Sequence, residues 1–108
     1  MSDEAPKRRA ARIPLSISIR VTGLDAANKS FTENMRTENV SKFGAFIITD
    51  RSLPIGTVLK LESTNKKFSA EEEVLAKVIS IVSKKKSTGI GIQIIQGQDT
   101  WKQLITSL

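Results

Sequence analysis

From Ile13 onward the chain alternates between apolar and polar residues. Leu15, Ile17, Ile19 and Val21 are apolar, while Ser16, Ser18 and Arg20 between them are polar. A period of two sends successive side chains to opposite faces, so this stretch predicts a strand with one buried face. Gly23 to Lys29, containing Asp25 and Asn28, reads as a turn or loop. Phe31, Glu33, Met35 and Thr37 then alternate with mostly polar neighbours and predict a second, weaker strand. Ala45-Phe46-Ile47-Ile48 is a short apolar run of strand type. In Leu53-Pro54-Ile55-Gly56, Pro54 presets φ for a turn position and Gly56 tolerates positive φ. Val58, Leu59 and Leu61 form a further strand, closed by Ser63 to Lys67.

The longest apolar stretch is Val74 to Val82, followed by Lys84-Lys85-Lys86-Ser87-Thr88-Gly89 and then Ile90 to Ile95. Two such runs around one turn predict a hairpin with a lysine-rich, solvated tip. One conflict sits at its start. Ser69-Ala70-Glu71-Glu72 resembles a helix capping box, but the β-branched residues at 74, 78, 79, 81 and 82 favour strand. Strand is the stronger reading, with Glu71 to Glu73 an exposed charge run. At the C-terminus Trp101, Leu104, Ile105 and Leu108 fall at helical spacing, with Asp99 as the expected N-cap. That helix would lay Trp101 over the sheet as a core cover. About six short strands with regular turns and one closing helix predict a small antiparallel barrel.

The first dozen residues stand apart from this pattern. Met1 to Arg12 holds Pro6, four cations and no large apolar side chain but Met1, so it reads as a mobile arm. The expected organisation is an arm over 1–12 and a barrel domain over 13–108.

Composition then removes whole classes of chemistry. The chain of 108 residues contains no Cys and no His. Without Cys there is no thiolate zinc site, disulfide or cysteine nucleophile, and without His the commonest general base is missing. No Walker-type loop or Gly-x-Ser-x-Gly elbow is present either, so an enzyme is not expected. No cofactor and no metal site are expected. No run approaches the roughly 18 apolar residues of a membrane span, and the start of the chain has no apolar signal stretch. Membrane insertion is not expected, and the cytoplasm is the default location. The net charge of +6 favours an anionic partner.

Two clusters can address such a partner. Arg8-Arg9-Ala10-Ala11-Arg12 places three guanidinium groups in five residues. Each is a planar fork that grips phosphate bidentately, stacks on bases and matches the edge of guanine. Asn39-x-Ser41-x-x-Gly44 offers short hydrogen-bonding groups beside a glycine that permits positive φ or close backbone approach to a ligand. Either cluster alone is also what a basic tail or an ordinary turn looks like.

In this order the two clusters resemble the PilZ domain family. The resemblance rests on Arg8-x-x-x-Arg12 and Asn39-x-Ser41-x-x-Gly44, with support from Leu53-Pro54-Ile55-Gly56 and from Gly89-Ile90-Gly91. It runs from about Arg8 to Leu108. It implies an all-β fold, a six-stranded antiparallel β-barrel, here with a short C-terminal helix. It also implies a receptor for cyclic di-GMP, in which Arg8, Arg9 and Arg12 address phosphates and guanine faces. Asn39 and Ser41 would address a guanine edge or a phosphate, and Gly44 would keep the strand entrance open. The arm would order on binding and change the surface seen by a downstream protein partner.

Two positions depart from the family pattern: Asn39 stands where Asp is commoner, and Phe43 stands where a small residue is usual. Phe43 reads as a core or interface residue, or as one that narrows the pocket. Two other readings fit the charge or the fold: a small basic barrel that binds nucleic acid, and a PilZ-fold adaptor without a nucleotide. The scarcity of aromatics, four Phe and Trp101, argues against a stacking surface for single strands and makes nucleic acid the lesser reading.

Overall fold

The structure, a computed structural model, describes residues 12–65, 72–83 and 88–106. Six strands and one helix follow in chain order: β1 (Ser18–Leu24), β2 (Ser30–Ser41), β3 (Gly44–Ile48), β4 (Val58–Ser63), β5 (Val74–Ser83), β6 (Thr88–Gln96) and α1 (Gln98–Thr106). The strands close into an antiparallel barrel in the order β1-β2-β3-β6-β5-β4, in which β4 returns to pair with β1. Closure removes most of the exposed edge that an open sheet of this size would carry, although β5 outruns β4 beyond Val78.

The period-two residues fill the barrel. Ile19 and Val21 of β1, Ile47 of β3, Leu59 of β4, Val78 of β5 and Ile90 of β6 are essentially inaccessible to solvent. Each such burial contributes about 1.5–3 kcal/mol relative to an exposed side chain. The alternation breaks at Glu33, which is exposed although Phe31, Met35 and Thr37 on the same strand are buried. β2 is the longest strand, not a weak one. It spends Ser30–Arg36 on β1 and Arg36–Ser41 on β3, with a register shift between Thr37 and Asn39 where the strand turns from one partner to the other.

Three expectations change in detail, and one conflict resolves as expected. The first regular strand begins at Ser18, not Ile13, and Ile13 is exposed. Pro14 has no N–H to give to a ladder, so the preceding stretch follows β2 irregularly and touches it at an isolated Ile13–Val40 bridge. The first turn is shorter than Gly23–Lys29, because Gly23 and Leu24 belong to β1 and pair with Phe31 and Ser30. The conflict at residues 69–77 resolves to strand from Val74 onward; Ser69 to Glu71 lie outside the described residues. The helix starts at Gln98, so Gly97 with φ 79° takes the capping position that Asp99 was expected to hold. Trp101 N–H donates to the Gly97 carbonyl at 2.9 Å. Asp99 sits instead in the first turn, where its charge complements the helix dipole.

The helix closes one end of the barrel with Trp101 and Leu104 buried and Ile105 packed against the core. The other end carries the β1–β2 turn, the loop between β3 and β4, and the start of β6. There the Asp25 carboxylate accepts from the N–H groups of Ala27 (2.9 Å) and Lys29 (3.0 Å), and Asn28 takes the left-handed φ of 63°. The lysine cluster Lys84 to Lys86, the end of the chain at Leu108 and the arm before Arg12 lie outside the described residues.

Candidate functional site

The site is built at the helix end of the barrel, where β2 hands over to β3. Ser41 pairs with Gly44 across a two-residue connection, Lys42-Phe43, and the Ser41 hydroxyl accepts from the Phe43 N–H at 3.2 Å. Lys42 and Phe43 are both exposed. Phe43 is therefore not a core residue, and its carbonyl anchors β6 by accepting from Ile94 N–H at 2.7 Å. Gly44 is buried, and its φ is not in the left-handed region. Its small size is required by close approach: a Cβ here would collide with the Ile92 carbonyl oxygen of β6. This packing against β6 is neither of the reasons expected from the sequence, a positive φ or the close approach of a ligand.

Arg12 and Asn39, 27 residues apart in the chain, meet at this place. Arg12 Nη1 donates to the Asn39 side-chain oxygen at 3.3 Å. What brings them together is backbone: Ile13 and Val40 exchange both hydrogen bonds at 2.8 and 2.9 Å. Further along, Thr37 clamps the same segment. Its buried hydroxyl donates to the Leu15 carbonyl at 2.6 Å and accepts from the Ile17 N–H at 3.0 Å. Arg36 adds an outer tie, with Nε 3.1 Å from the Ser16 hydroxyl oxygen and Nη2 3.4 Å from its carbonyl. The stretch that delivers Arg12 is thus fastened to β2 at three successive levels.

Of the expected site residues, Arg12, Asn39, Ser41 and Gly44 share one end of β2 and its turn. Arg8 and Arg9 lie outside the described residues. Asn39 is half-buried and faces Phe46 of β3 in the ladder. Ser41 contributes more than its hydroxyl, since its carbonyl accepts from Trp101 Nε1 at 2.8 Å. Among the described residues no cluster of acidic side chains is arranged to hold a metal ion, and no helix is long and apolar enough to cross a membrane.

The family model for the PilZ domain matches residues 6–108 of this sequence. The chain belongs to the PilZ domain family. Among solved structures, this PilZ domain is similar to the PilZ domain of YcgR from Escherichia coli, a structure that holds c-di-GMP. That match has a TM-score of 0.63 and 17% identity, and it covers 95% of this chain and 92% of the other. At that identity the likeness establishes the barrel fold with its closing helix. No curated protein matches the sequence.

Two residues of this PilZ domain escaped the sequence reading of its site. Thr37 was visible only as one apolar-face position of a strand, although a hydroxyl on a buried face must find partners. Trp101 was read as a core cover, which its full burial supports. Its indole N–H also needed an acceptor, and that requirement was the available signal for a contact with the site.

Proposed function

We propose that this PilZ domain is a non-catalytic cytoplasmic receptor for cyclic di-GMP, with the ligand held between the arginine motif and the β2–β3 corner. The observation that carries this reading is the Arg12–Asn39 hydrogen bond, which joins the two motifs across 27 residues. The ligand has two phosphate charges and two guanine rings. Arg12 spends one guanidinium nitrogen on Asn39 and offers further N–H groups to a phosphate or to a guanine O6/N7 edge. Arg8 and Arg9, four and three residues before it, supply two more planar cations for phosphates and guanine faces. The side-chain oxygen of Asn39 accepts from guanine N–H groups once Arg12 swings to the ligand, and the Ser41 hydroxyl is a donor at the same edge. A neutral amide at position 39 repels the phosphates less than a carboxylate would, and it holds guanine less tightly.

The family match over residues 6–108 and the fold shared with a structure containing c-di-GMP support the choice of ligand. In this reading residues 1–12 form the arm, and its docking over the ligand changes the surface presented to a protein partner. Isothermal titration with cyclic di-GMP tests it. Wild type should give saturable heat, Arg12→Ala should bind at least tenfold more weakly, and Arg8→Ala/Arg12→Ala should not bind measurably. No heat at tens of micromolar protein, or undiminished binding by the double variant, would refute the assignment.

A further inference from the structure

The β2–β3 corner continues across the outer face of the barrel. Ser41 pairs with Gly44, Gly44 with Gln93, and Gln93 with Lys77, so one cross-strand row runs from the site over β3 and β6 to β5. Side chains alternate between faces along a strand. Ile92 and Ile94 on either side of Gln93 are buried, as are Ala76 and Val78 on either side of Lys77. Gln93 and Lys77 therefore point outward, and both are exposed. Three strand spacings of about 4.8 Å put Ser41 and Lys77 roughly 14 Å apart along this row.

Gly44 is what draws β6 up to the motif. The place of its missing Cβ lies against the Ile92 carbonyl and 3.3 Å from the Gln93 Cα, and the Phe43 carbonyl takes the Ile94 N–H at 2.7 Å. Gln93 is thereby held beside the turn that carries Ser41. Its side-chain amide and the Lys77 ammonium have no hydrogen-bond or ion-pair partner among the described residues. The neighbour of Lys77 on β4 is Val58, which carries no charge. Lys60, further along β4, shows the contrast: Glu62 and Glu73 lie 4.0 and 3.8 Å from its ammonium. Lys77 is an exposed cation that the ladder around it leaves uncompensated.

We propose that Gln93 and Lys77 form the far half of the ligand site, with Gln93 meeting the second guanine of cyclic di-GMP and Lys77 its second phosphate. The inference rests on the cyclic di-GMP reading and extends it across the barrel. The ligand is a ring closed by two phosphates and carries two guanines, so a site confined to Arg12, Asn39 and Ser41 serves one half of it. A cation stands at each end of the row, Arg12 beside β2 and Lys77 on β5, which matches two separated phosphate charges. The Gln93 amide offers both donors and an acceptor, the combination that a guanine edge requires. The Lys77 ammonium serves phosphate as a point charge.

Isothermal titration of the full chain with cyclic di-GMP tests this, using Lys77→Met, Gln93→Glu and, as a charge control, Lys29→Met at the opposite end of the barrel. Lys77→Met removes the charge and should weaken binding about tenfold, the scale of one charge-assisted hydrogen bond. Gln93→Glu sets a carboxylate beside the approaching phosphate and removes the amide donors, and should weaken binding by a similar factor. Lys29→Met should stay within about twofold of wild type, because solvent and salt screen a charge so far from the ligand. Amide NMR should show the Gln93 side-chain NH2 shifting together with Asn39 and Ser41, and thermal melts confirm that each variant is folded. Binding by Lys77→Met and Gln93→Glu equal to that of wild type would overturn the inference and leave the receptor reading intact. Equal losses in Lys77→Met and Lys29→Met would overturn it too, since net charge rather than placement would explain them. Absence of saturable heat in wild type would refute the receptor reading itself, and this inference with it.

Discussion

Trp101 Nε1 donates to the carbonyl of Ser41 at 2.8 Å, and this bond joins the C-terminal helix to the turn that carries the candidate site. The indole is fully buried, so the contact fixes the helix on the barrel and the turn beneath it at once. Trp101→Phe keeps most of the apolar volume and removes the donor, leaving the Ser41 carbonyl short of a partner. The expected loss is about 1–3 kcal/mol, or a fall in melting temperature of roughly 4–8 °C per kcal/mol. Calorimetry measures the first effect. Titration with cyclic di-GMP measures a second, a weakening of binding, because the turn holding Ser41 is no longer pinned.

Thr37 has a comparable position on the other side of the site. Its hydroxyl serves both the Leu15 carbonyl and the Ile17 N–H, and its own N–H donates to the Ile17 carbonyl at 2.9 Å. Thr37→Val has nearly the same shape and strands two backbone groups. A loss of about 2–6 kcal/mol is expected, from the roughly 1–3 kcal/mol of each unsatisfied group. Thr37→Ser retains the hydroxyl and should recover most of it. Chemical denaturation separates the two variants, and similar stabilities for Val and Ser would contradict the clamp.

Gly44 and Gly56 make a controlled pair. A Cβ at Gly44 meets the Ile92 carbonyl, a backbone atom that cannot step aside, whereas at Gly56 it meets open space but inherits a φ of +97°. Gly44→Ala should cost about 3 kcal/mol, the upper part of the range for overpacking. Gly56→Ala should cost about 1 kcal/mol, from backbone strain alone. Denaturant midpoints of the two variants check the order, and the reverse order would mean that the β3–β6 spacing is looser than it looks.

These positions also show what a sequence can and cannot disclose. The strands of the barrel were legible because burial on one face enforces alternation, as at Ile19 and Val21 or Ile90, Ile92 and Ile94. The helix was legible through the spacing of Trp101, Leu104 and Ile105. The start of β1 was not, because Leu15 and Ile17 keep the alternation after the ladder has failed at Pro14. The cap was not, because Asp99 suits the first turn as well as it suits the cap. For the site, the motifs named Arg12, Asn39, Ser41 and Gly44. Their convergence depends on Thr37 and on the Ile13–Val40 bridge, contacts between residues twenty or more positions apart that no local pattern encodes.

The far end of the barrel offers a prediction about pH. Arg51 reaches across the β1–β2 turn: Nη2 lies 2.7 Å from Glu33, Nη1 lies 3.6 Å from Asp25, and the guanidinium sits 4.3 Å above the Phe31 ring. The Asp25 carboxyl is held below its ordinary value of 3.8, chiefly by the Lys29 N–H; burial opposes this, and the Ala27 N–H and the Arg51 and Lys29 charges add to the lowering. A depressed folded-state pKa stabilises the fold above the unfolded value and loses that contribution as pH falls through the folded one. The contribution of Asp25 should therefore be complete above pH 3.8 and vanish on further acidification. Asp25→Asn keeps an oxygen acceptor for the turn but removes the titration. Its stability should fall less than that of wild type over this acid range, with the two curves converging at low pH. Denaturant melts across the range measure this directly, and parallel curves would mean that the carboxylate gains nothing from the turn.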